Sequence, residues 1–283
     1  MTTFELSNGV KIPSIGLGTF LMKPDDAQRA VETALKAGYR LIDTANAYVN
    51  EKAVGRANKN SGIPRNEIFI STKLWPTVYE DKDAISKTLE RLQTDYVDLL
   101  FLHQPSGNFM AGYRQIEQAY KEGKVKSIGI SNFYGKKLER VLKEAQIKPH
   151  IIQVEAHPYC SQHELMDQLK PYGTRLMAWY PLGHGDKNLI HEEVFNSLAK
   201  KYNKSNVQII LRWHAQKGFI TIPGSTNPEH IAANFNIFDF QLTQEEMEEI
   251  AKLDDTKQYY GDYYNEEHEE KYAQMHFDID GQK

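Results

Sequence analysis

Cysteine is nearly absent, with Cys160 alone among 283 residues, so no intrachain disulfide staples the chain and a buried core has to hold it together. No apolar segment approaches the roughly 20 residues that a membrane helix needs. The start, MTTFELSNG, lacks the basic and apolar regions of a secretory signal, which makes a reducing, cytoplasmic location the expectation. Positive charge is not in excess either. A net charge of −4, with no long basic run, argues against nucleic acid as a partner. Also missing are low-complexity segments, identity-level repeats and any linker rich in Pro, Gly or Ser, so residues 1–283 read as one domain. Finally, no G-x-G-x-x-G follows the first strand: GLGTF (16–20) has the first two glycines and then departs, which leaves a Rossmann phosphate turn poorly supported.

What is present is an alternation of short apolar runs with helix-like sequence. IGLGT (15–19) precedes a helix over about 25–37 ended by Gly38, LIDTA (41–45) precedes one over 50–60, IFISTKL (68–74) one over 82–93, and VDLLFLH (97–103) one over about 111–121. VKSIGIS (125–131), IIQVEA (151–156), TRLMAWY (174–180) and FITIPG (219–224) continue the pattern. Eight such units in under 300 residues predict a single α/β chain closed as a (β/α)8 TIM barrel, with a doubly wound open sheet as the rival. Around Asn8-Gly9 the alternating FELSNGVKIP predicts an N-terminal β-hairpin. Ser161 with Glu164 and Thr243 with Glu246 fit capping boxes, and Asn227-Pro228 fits an N-cap followed by proline. The acidic, tyrosine-rich tail from about 254 has two readings, a segment anchored by aromatics over the barrel mouth or a solvated extension.

Polar residues stand where three of these runs end: Asp43, Tyr48, Lys73 and His103. In a parallel barrel the C-terminal strand ends converge on one face, where chemistry is built. A free phenol titrates near pH 10. A neighbouring ammonium lowers that value, and a carboxylate keeps the ammonium charged despite burial. Tyr48 beside Lys73 and Asp43 would then be a usable acid, with His103 hydrogen bonding the same substrate oxygen or relaying the proton. The blander reading makes Asp43 and Lys73 a structural ion pair, Tyr48 a helix-flanking aromatic and His103 a satisfied core histidine. Taken together on one face, the four favour protonation of an oxygen, as in carbonyl reduction.

DTAxxYxNExxVG (43–55), STKLW (71–75), LH (102–103), GISNF (129–133), QVExHP (153–158) and IPGS (222–225) resemble the aldo-keto reductase family, in the family's order and over nearly the whole chain. The compact bacterial diketogluconate reductase-like members are the nearest in appearance. The resemblance implies NAD(P)H-dependent reduction of aldehydes or ketones, with Tyr48 as general acid, Lys73 lowering its pKa, Asp43 holding the lysine and His103 orienting the carbonyl. It also implies a monomer and a nicotinamide cofactor extended over the barrel top, touching Thr19, Asp43, Ser131, Asn132, Gln153, Trp179, Leu182, Ser225, His230 and Asn234. Ser131, Asn132 and Gln153 match the side chains that hold the carboxamide, and Trp179 matches the ring that stacks on it. A non-catalytic NAD(P)H sensor or structural subunit of the same fold is the alternative.

Two departures from the family pattern carry expectations. Gly224 and His230 replace a lysine and an arginine that grip the 2′-phosphate of NADPH in relatives, while Ser225, Asn227 and Asn234 remain. Substantial use of NADH follows, alongside or instead of NADPH. The substrate walls are assigned to Phe20, Trp75, His103 and Gln104. Relatives often carry tryptophan at the positions of Phe20 and Gln104, so a wider, more polar pocket is expected, suited to small aldehydes, dicarbonyls or sugar derivatives, unless tail aromatics refill it. No metal is expected: His157 belongs to QVExHP, and His163 and Glu164 flank a helix start. Cys160 lacks a basic partner and is expected to be inert.

Overall fold

The structure is a computed structural model that describes residues 2–260 and 266–282, without the side chains of 266–269. Strands β1 (Thr3–Glu5) and β2 (Lys11–Pro13) pair antiparallel in the expected hairpin. Its turn is longer than a two-residue loop: the Leu6 and Gly9 amides donate to Val10 O and Leu6 O, and Gly9 alone takes positive φ. Eight parallel strands follow in sequence order: β3 (Leu17–Gly18), β4 (Leu41–Asp43), β5 (Phe69–Leu74), β6 (Leu99–Leu102), β7 (Ile128–Ser131), β8 (Ile151–Glu155), β9 (Arg175–Trp179) and β10 (Ile220–Thr221). The sheet closes where Ile15 bridges Thr221, with Gly16 N donating to Thr221 O at 2.8 Å and Thr221 N to Ser14 O at 3.0 Å. The fold is the (β/α)8 barrel; the open-sheet rival is excluded by that seam.

Helices α1 (Pro24–Ala37), α2 (Glu51–Asn60), α3 (Ala84–Leu92), α4 (Phe109–Lys121), α5 (Gly135–Glu144) and α6 (His163–Leu169) connect the strands through β9. After β9 come α7 (Lys187–Ile190), α8 (Glu193–Tyr202) and α9 (Asn206–Gln216). Beyond β10 are α10 (Pro228–Phe235), α11 (Gln244–Ala251) and α12 (Glu266–Gln274). Among the described residues no helix is long and apolar enough to cross a membrane. The capping box at Thr243/Glu246 and the cap at Asn227 are present. The one at Ser161/Glu164 is not: α6 begins after Gln162 in the left-handed region, because Ser161 donates its hydroxyl to Asp254 instead. A box unread in the sequence starts α9, where Ser205 and Gln208 cap each other's backbone.

Strand residues alternate between two destinations, as the two-residue period requires. Ile42, Ile70, Leu100, Leu102, Ile128, Ile130, Ile152 and Val154 face the helices. Leu41, Phe69, Leu99, Phe101, Ile151, Met177 and Ile220 fill the interior together with Leu6 and Ile12 of the hairpin, which plugs the N-terminal end. Further along the same inward rows the side chains turn polar, giving Asp43, Ser71, Lys73 and Gln153, all buried. That switch gathers polar groups at the C-terminal end of the barrel.

Gly55 of the NExxVG motif is set by helix packing. A Cβ there would lie 2.7 Å from Leu92 O at the end of α3, where only backbone could yield. Gly55→Ala should destabilise by about 1–3 kcal/mol through overpacking, against about 1 kcal/mol for removing the α11 cap in Thr243→Ala; denaturant midpoints compared at constant slope check both.

Candidate active site

The four candidate residues come together at the C-terminal mouth. Asp43 ends β4, Lys73 lies near the end of β5, His103 follows β6, and Tyr48 closes a short 3-10 turn, Asn46–Tyr48, directly after β4. The turn is pinned by the Trp75 amide, which donates to Asn46 Oδ1 at 3.0 Å.

Lys73 is completely buried. Its Nζ donates to Asp43 Oδ2 at 2.5 Å and to Thr44 O at 2.8 Å. The other Asp43 oxygen accepts from Ser71 Oγ at 2.8 Å and Gln153 Nε2 at 3.1 Å, so both members of the pair are hydrogen bonded, the condition on which a buried ion pair is tolerated. Burial lowers the lysine pKa, and Asp43 opposes that shift. Lys73 Nζ stands 4.9 Å from the Tyr48 ring centroid, and Phe20 and His103 pack on the same ring at 5.1 and 5.6 Å.

The electrostatics differ from the expectation in two respects. Tyr48 keeps some exposed ring surface, yet burial around its phenol, reinforced by the Asp43 carboxylate, holds its pKa well above the ordinary value rather than below it. His103 is pushed well below the usual histidine range, first by burial and then by the Lys73 charge, so it is neutral at pH 7. Its Nδ1 has no partner among the described residues.

The amide-bearing residues line the next strand ends. Ser131 ends β7, Asn132 follows at φ 64, and Trp179 Nε1 donates to Asn132 Oδ1 at 3.0 Å. Asn132 Nδ2 donates to Gln104 Oε1 at 3.2 Å. Thr19 is buried, its hydroxyl donating to Asp43 O at 3.1 Å and to Asn50 Oδ1 at 3.4 Å. Leu182 packs between two core clusters, Ser225 accepts from Asn227 N, Asn234 is buried, and His230 and Gly224 are exposed.

The pocket is less open than the substitutions suggest. Gln104 is 6% exposed and engaged by Asn132 and Tyr79, while tail aromatics occupy the mouth. Trp75 meets Tyr272 and Phe277 edge to face at 5.7 and 5.1 Å, and Trp179 meets Tyr260 at 5.7 Å. Among the described residues of the tail, Tyr260, Tyr272, Met275 and Phe277 lie against the barrel mouth.

Several contributors escaped the sequence reading. Asn50 holds Thr19 O and Met22 O and accepts from Thr44, locking the β3 and β4 ends together. Glu155, fully buried, accepts from His157 Nε2 at 3.0 Å and from the Tyr259 and Tyr260 amides at 2.6 and 3.2 Å. Both stand inside quoted motifs, so the motif was the signal and the partner was not. Among the described residues no three potential ligands gather around a metal position; His163 instead faces Asp254. Cys160 is buried and its pKa is pushed up to about 12, chiefly by burial, which keeps it a thiol.

Comparison with known proteins agrees with this geometry. The profile of the Aldo/keto reductase family matches residues 14–255. A Glyoxal reductase of Bacillus subtilis (strain 168) is 45% identical over 259 residues, covering 89% of this chain and 92% of the relative. Methylglyoxal reductase DkgA of Escherichia coli (strain K12) is 38% identical over 260 residues, covering 90% and 94%. The crystal structure of MGS-M4, an aldo-keto reductase from a Medee basin deep-sea metagenome library, superposes with TM-score 0.89 at 42% identity, covering 93% of this chain and 98% of that one. A barrel of this kind with these matches is a carbonyl-reducing oxidoreductase dependent on NAD(P)H. The chain belongs to the aldo/keto reductase family.

Removing one partner of the buried pair should be worse than removing both. Lys73→Met should cost about 3–5 kcal/mol of stability by stranding the Asp43 carboxylate, and adding Asp43→Leu should recover part of that loss; a double-mutant cycle in denaturant measures the coupling.

Proposed function

We propose that Tyr48 protonates the carbonyl oxygen of a small aldehyde, ketone or dicarbonyl, with Lys73, Asp43 and His103 shaping that step. The observation that carries the reading is the Tyr48 phenol packed against a fully buried Lys73–Asp43 pair at the barrel mouth. Reduction consumes a proton from the acid, so a phenol that stays protonated at neutral pH is loaded for the forward reaction. As oxygen charge develops, the Lys73 ammonium stabilises the forming phenolate across a short, water-poor distance. Neutral His103 supplies an N–H to the same oxygen and needs no change of charge.

The residues present suit a nicotinamide. Ser131, Asn132 and Gln153 bring hydroxyl and amide groups to the ends of β7 and β8, Gln153 already bonded to Asp43 and Asn132 to Gln104, and the Trp179 indole adjoins Asn132 as a stacking surface. When bound, the cofactor supplies hydride to the carbonyl carbon. For the adenosine end, several features favour substantial NADH use. Gly224 and His230 provide no fixed cation, the Asn227 and Glu229 amides at the α10 start are already taken by Ser225 and Asn227 side chains, and the Glu229 carboxylate stands in the first turn. Losing charge-assisted contacts to a phosphate costs about 1.5–3 kcal/mol each. Small dicarbonyls are the preferred substrates on two grounds: the mouth is crowded by Trp75, Tyr272 and Phe277, and relatives carry the names glyoxal and methylglyoxal reductase.

Tyr48→Phe should lower kcat for methylglyoxal reduction by about 10²–10⁴-fold, read from absorbance loss at saturating NADH. Because the Tyr48 pKa is raised and the acid form is the active one, kcat for reduction should stay level from about pH 6 to about pH 9, with no inflection from His103 near neutrality. A limb that rises as pH falls through about 6.5 would contradict the assignment of a neutral histidine. Gly224→Lys with His230→Arg should move the NADPH-to-NADH efficiency ratio upward by about tenfold or more.

A further inference from the structure

The ladder of backbone bonds between β4 and β5 runs out before it reaches the acid. Asp43 pairs with Ser71, and Thr44 N donates to Ser71 O at 2.9 Å. Beyond that point the chain leaves the sheet, turns through 46–48 and enters α2. Among the described residues no backbone bond joins 45–51 to β5, so the strand that carries Lys73 does not by itself fix Tyr48. Two side chains of the segment make the connection instead. Asn46 Oδ1 accepts from Trp75 N at 3.0 Å, and Glu51 Oε1 accepts from Thr72 Oγ1 at 2.6 Å. Asn46 and Glu51 bracket Tyr48 in the sequence, Thr72 and Trp75 bracket Lys73, and all four of these bracketing residues are buried.

The second of these bonds is stiff. Thr72 points to the helix side of β5 while Lys73, next in the chain, points inward, so Glu51 grips the strand from behind the lysine. Its other oxygen accepts from Arg91 Nε at 2.7 Å, and Arg91 NH2 in turn donates to Thr88 Oγ1 at 3.0 Å, which fixes the direction of the carboxylate. Between the two bonds stands Val49, at φ 57 and ψ 31. A β-branched side chain is rarely found in the left-handed region, and such a conformation persists only where its surroundings impose it. The chain is thus held, one residue after the phenol, in a conformation that valine by itself disfavours.

We propose that the hydrogen bonds Asn46–Trp75 and Glu51–Thr72 are a pair of staples that set the distance between the Tyr48 phenol and the Lys73 ammonium, and that proton transfer from Tyr48 depends on this spacing. Asn46, Glu51 and Thr72 are then positioning residues, acting through the segment 46–51 and β5 rather than on the reacting atoms. The staples stand on the contacts alone; their effect on rate rests on the reductase reading above. An ammonium stabilises a forming phenolate more strongly the closer it lies, and a water-poor site makes that dependence steep. With a staple opened, the turn relaxes toward conformations that Val49 prefers and the phenol moves away from the ammonium, while cofactor and carbonyl still bind.

The test uses the full chain carrying Thr72→Val, which removes the hydroxyl from a side chain of the same shape and leaves Arg91 on Glu51, with Thr72→Ser as the conservative control that keeps the hydroxyl. Asn46→Ala opens the other staple and is read in the same way, so the outcome does not hang on the folding of one variant. Protein labelled with 13Cζ-tyrosine reports the surroundings of each phenol by NMR without turnover, the Tyr48 signal being the one lost in Tyr48→Phe. The expected result is a displaced Tyr48 signal in Thr72→Val and in Asn46→Ala, and a wild-type one in Thr72→Ser. For methylglyoxal, Thr72→Val should lower kcat about tenfold or more with KM held within about twofold, and Thr72→Ser should restore kcat. In the Tyr48→Phe background the same change should lower kcat by less than about twofold. An unmoved signal overturns the staples. A moved signal with unchanged kcat, or an equal loss in the Tyr48→Phe background, overturns the link to proton transfer. If the wild-type protein turns over no carbonyl, the reductase reading fails while the tyrosine signals still decide the staples.

Discussion

The Lys73–Asp43 ion pair is the constraint around which the mouth of the barrel is arranged. Two charges taken out of water are tolerated only when their remaining hydrogen-bonding capacity is met, and here that demand reaches into four strands. β4 supplies Asp43 and, just beyond it, the Thr44 carbonyl; β5 supplies Lys73 and the Ser71 hydroxyl; β8 supplies the Gln153 amide. Thr19, just after β3, holds the Asp43 carbonyl and is itself fixed by Asn50. Tyr48 sits on the turn between Asp43 and Asn50, so the network that satisfies the pair also places the phenol.

The pair is affordable because the barrel below it is dry. Leu6 and Ile12 of the hairpin close the far end, and a layer of Leu, Ile, Phe and Met fills the interior beneath the charges. Water is therefore excluded from the barrel side of the site by packing, and at the mouth Phe20 and Trp75 pack on Tyr48 and His103. Low local dielectric strengthens every interaction of the ammonium with its surroundings. It also raises the phenol and depresses the imidazole, which leaves an acid that holds its proton and a histidine that carries no charge.

Much of this was legible in the sequence because it depends on period and order. The eight apolar runs, the glycine after α1, the cap at Asn227 and the capping box at Thr243 are local signals that the fold respects. What failed was non-local. Ser161 has the spacing of a cap, but Asp254, 93 residues away, claims its hydroxyl. Not legible either were the ties at Gln104, whose side-chain oxygen accepts from Asn132 and whose backbone bonds the Tyr79 hydroxyl. Lys73 stands 4.9 Å from the Tyr48 ring centroid, while burial and the Asp43 carboxylate push the phenol upward, and neither can be weighed from spacing. The tail's two readings were separable only by three-dimensional contacts to Trp75, Arg91 and Lys52.

The central claim is that the buried pair acts on the reaction through Tyr48. The most direct measurement is a kinetic double-mutant cycle on kcat for methylglyoxal reduction, comparing Lys73→Met in the wild-type background with Lys73→Met in Tyr48→Phe, each checked to be folded. Groups that act as a unit are strongly non-additive, so Lys73→Met should cost about 10²-fold or more when the phenol is present and less than about threefold when it is gone. Equal losses in the two backgrounds would mean that the lysine contributes independently of Tyr48, and the account would be wrong at its centre.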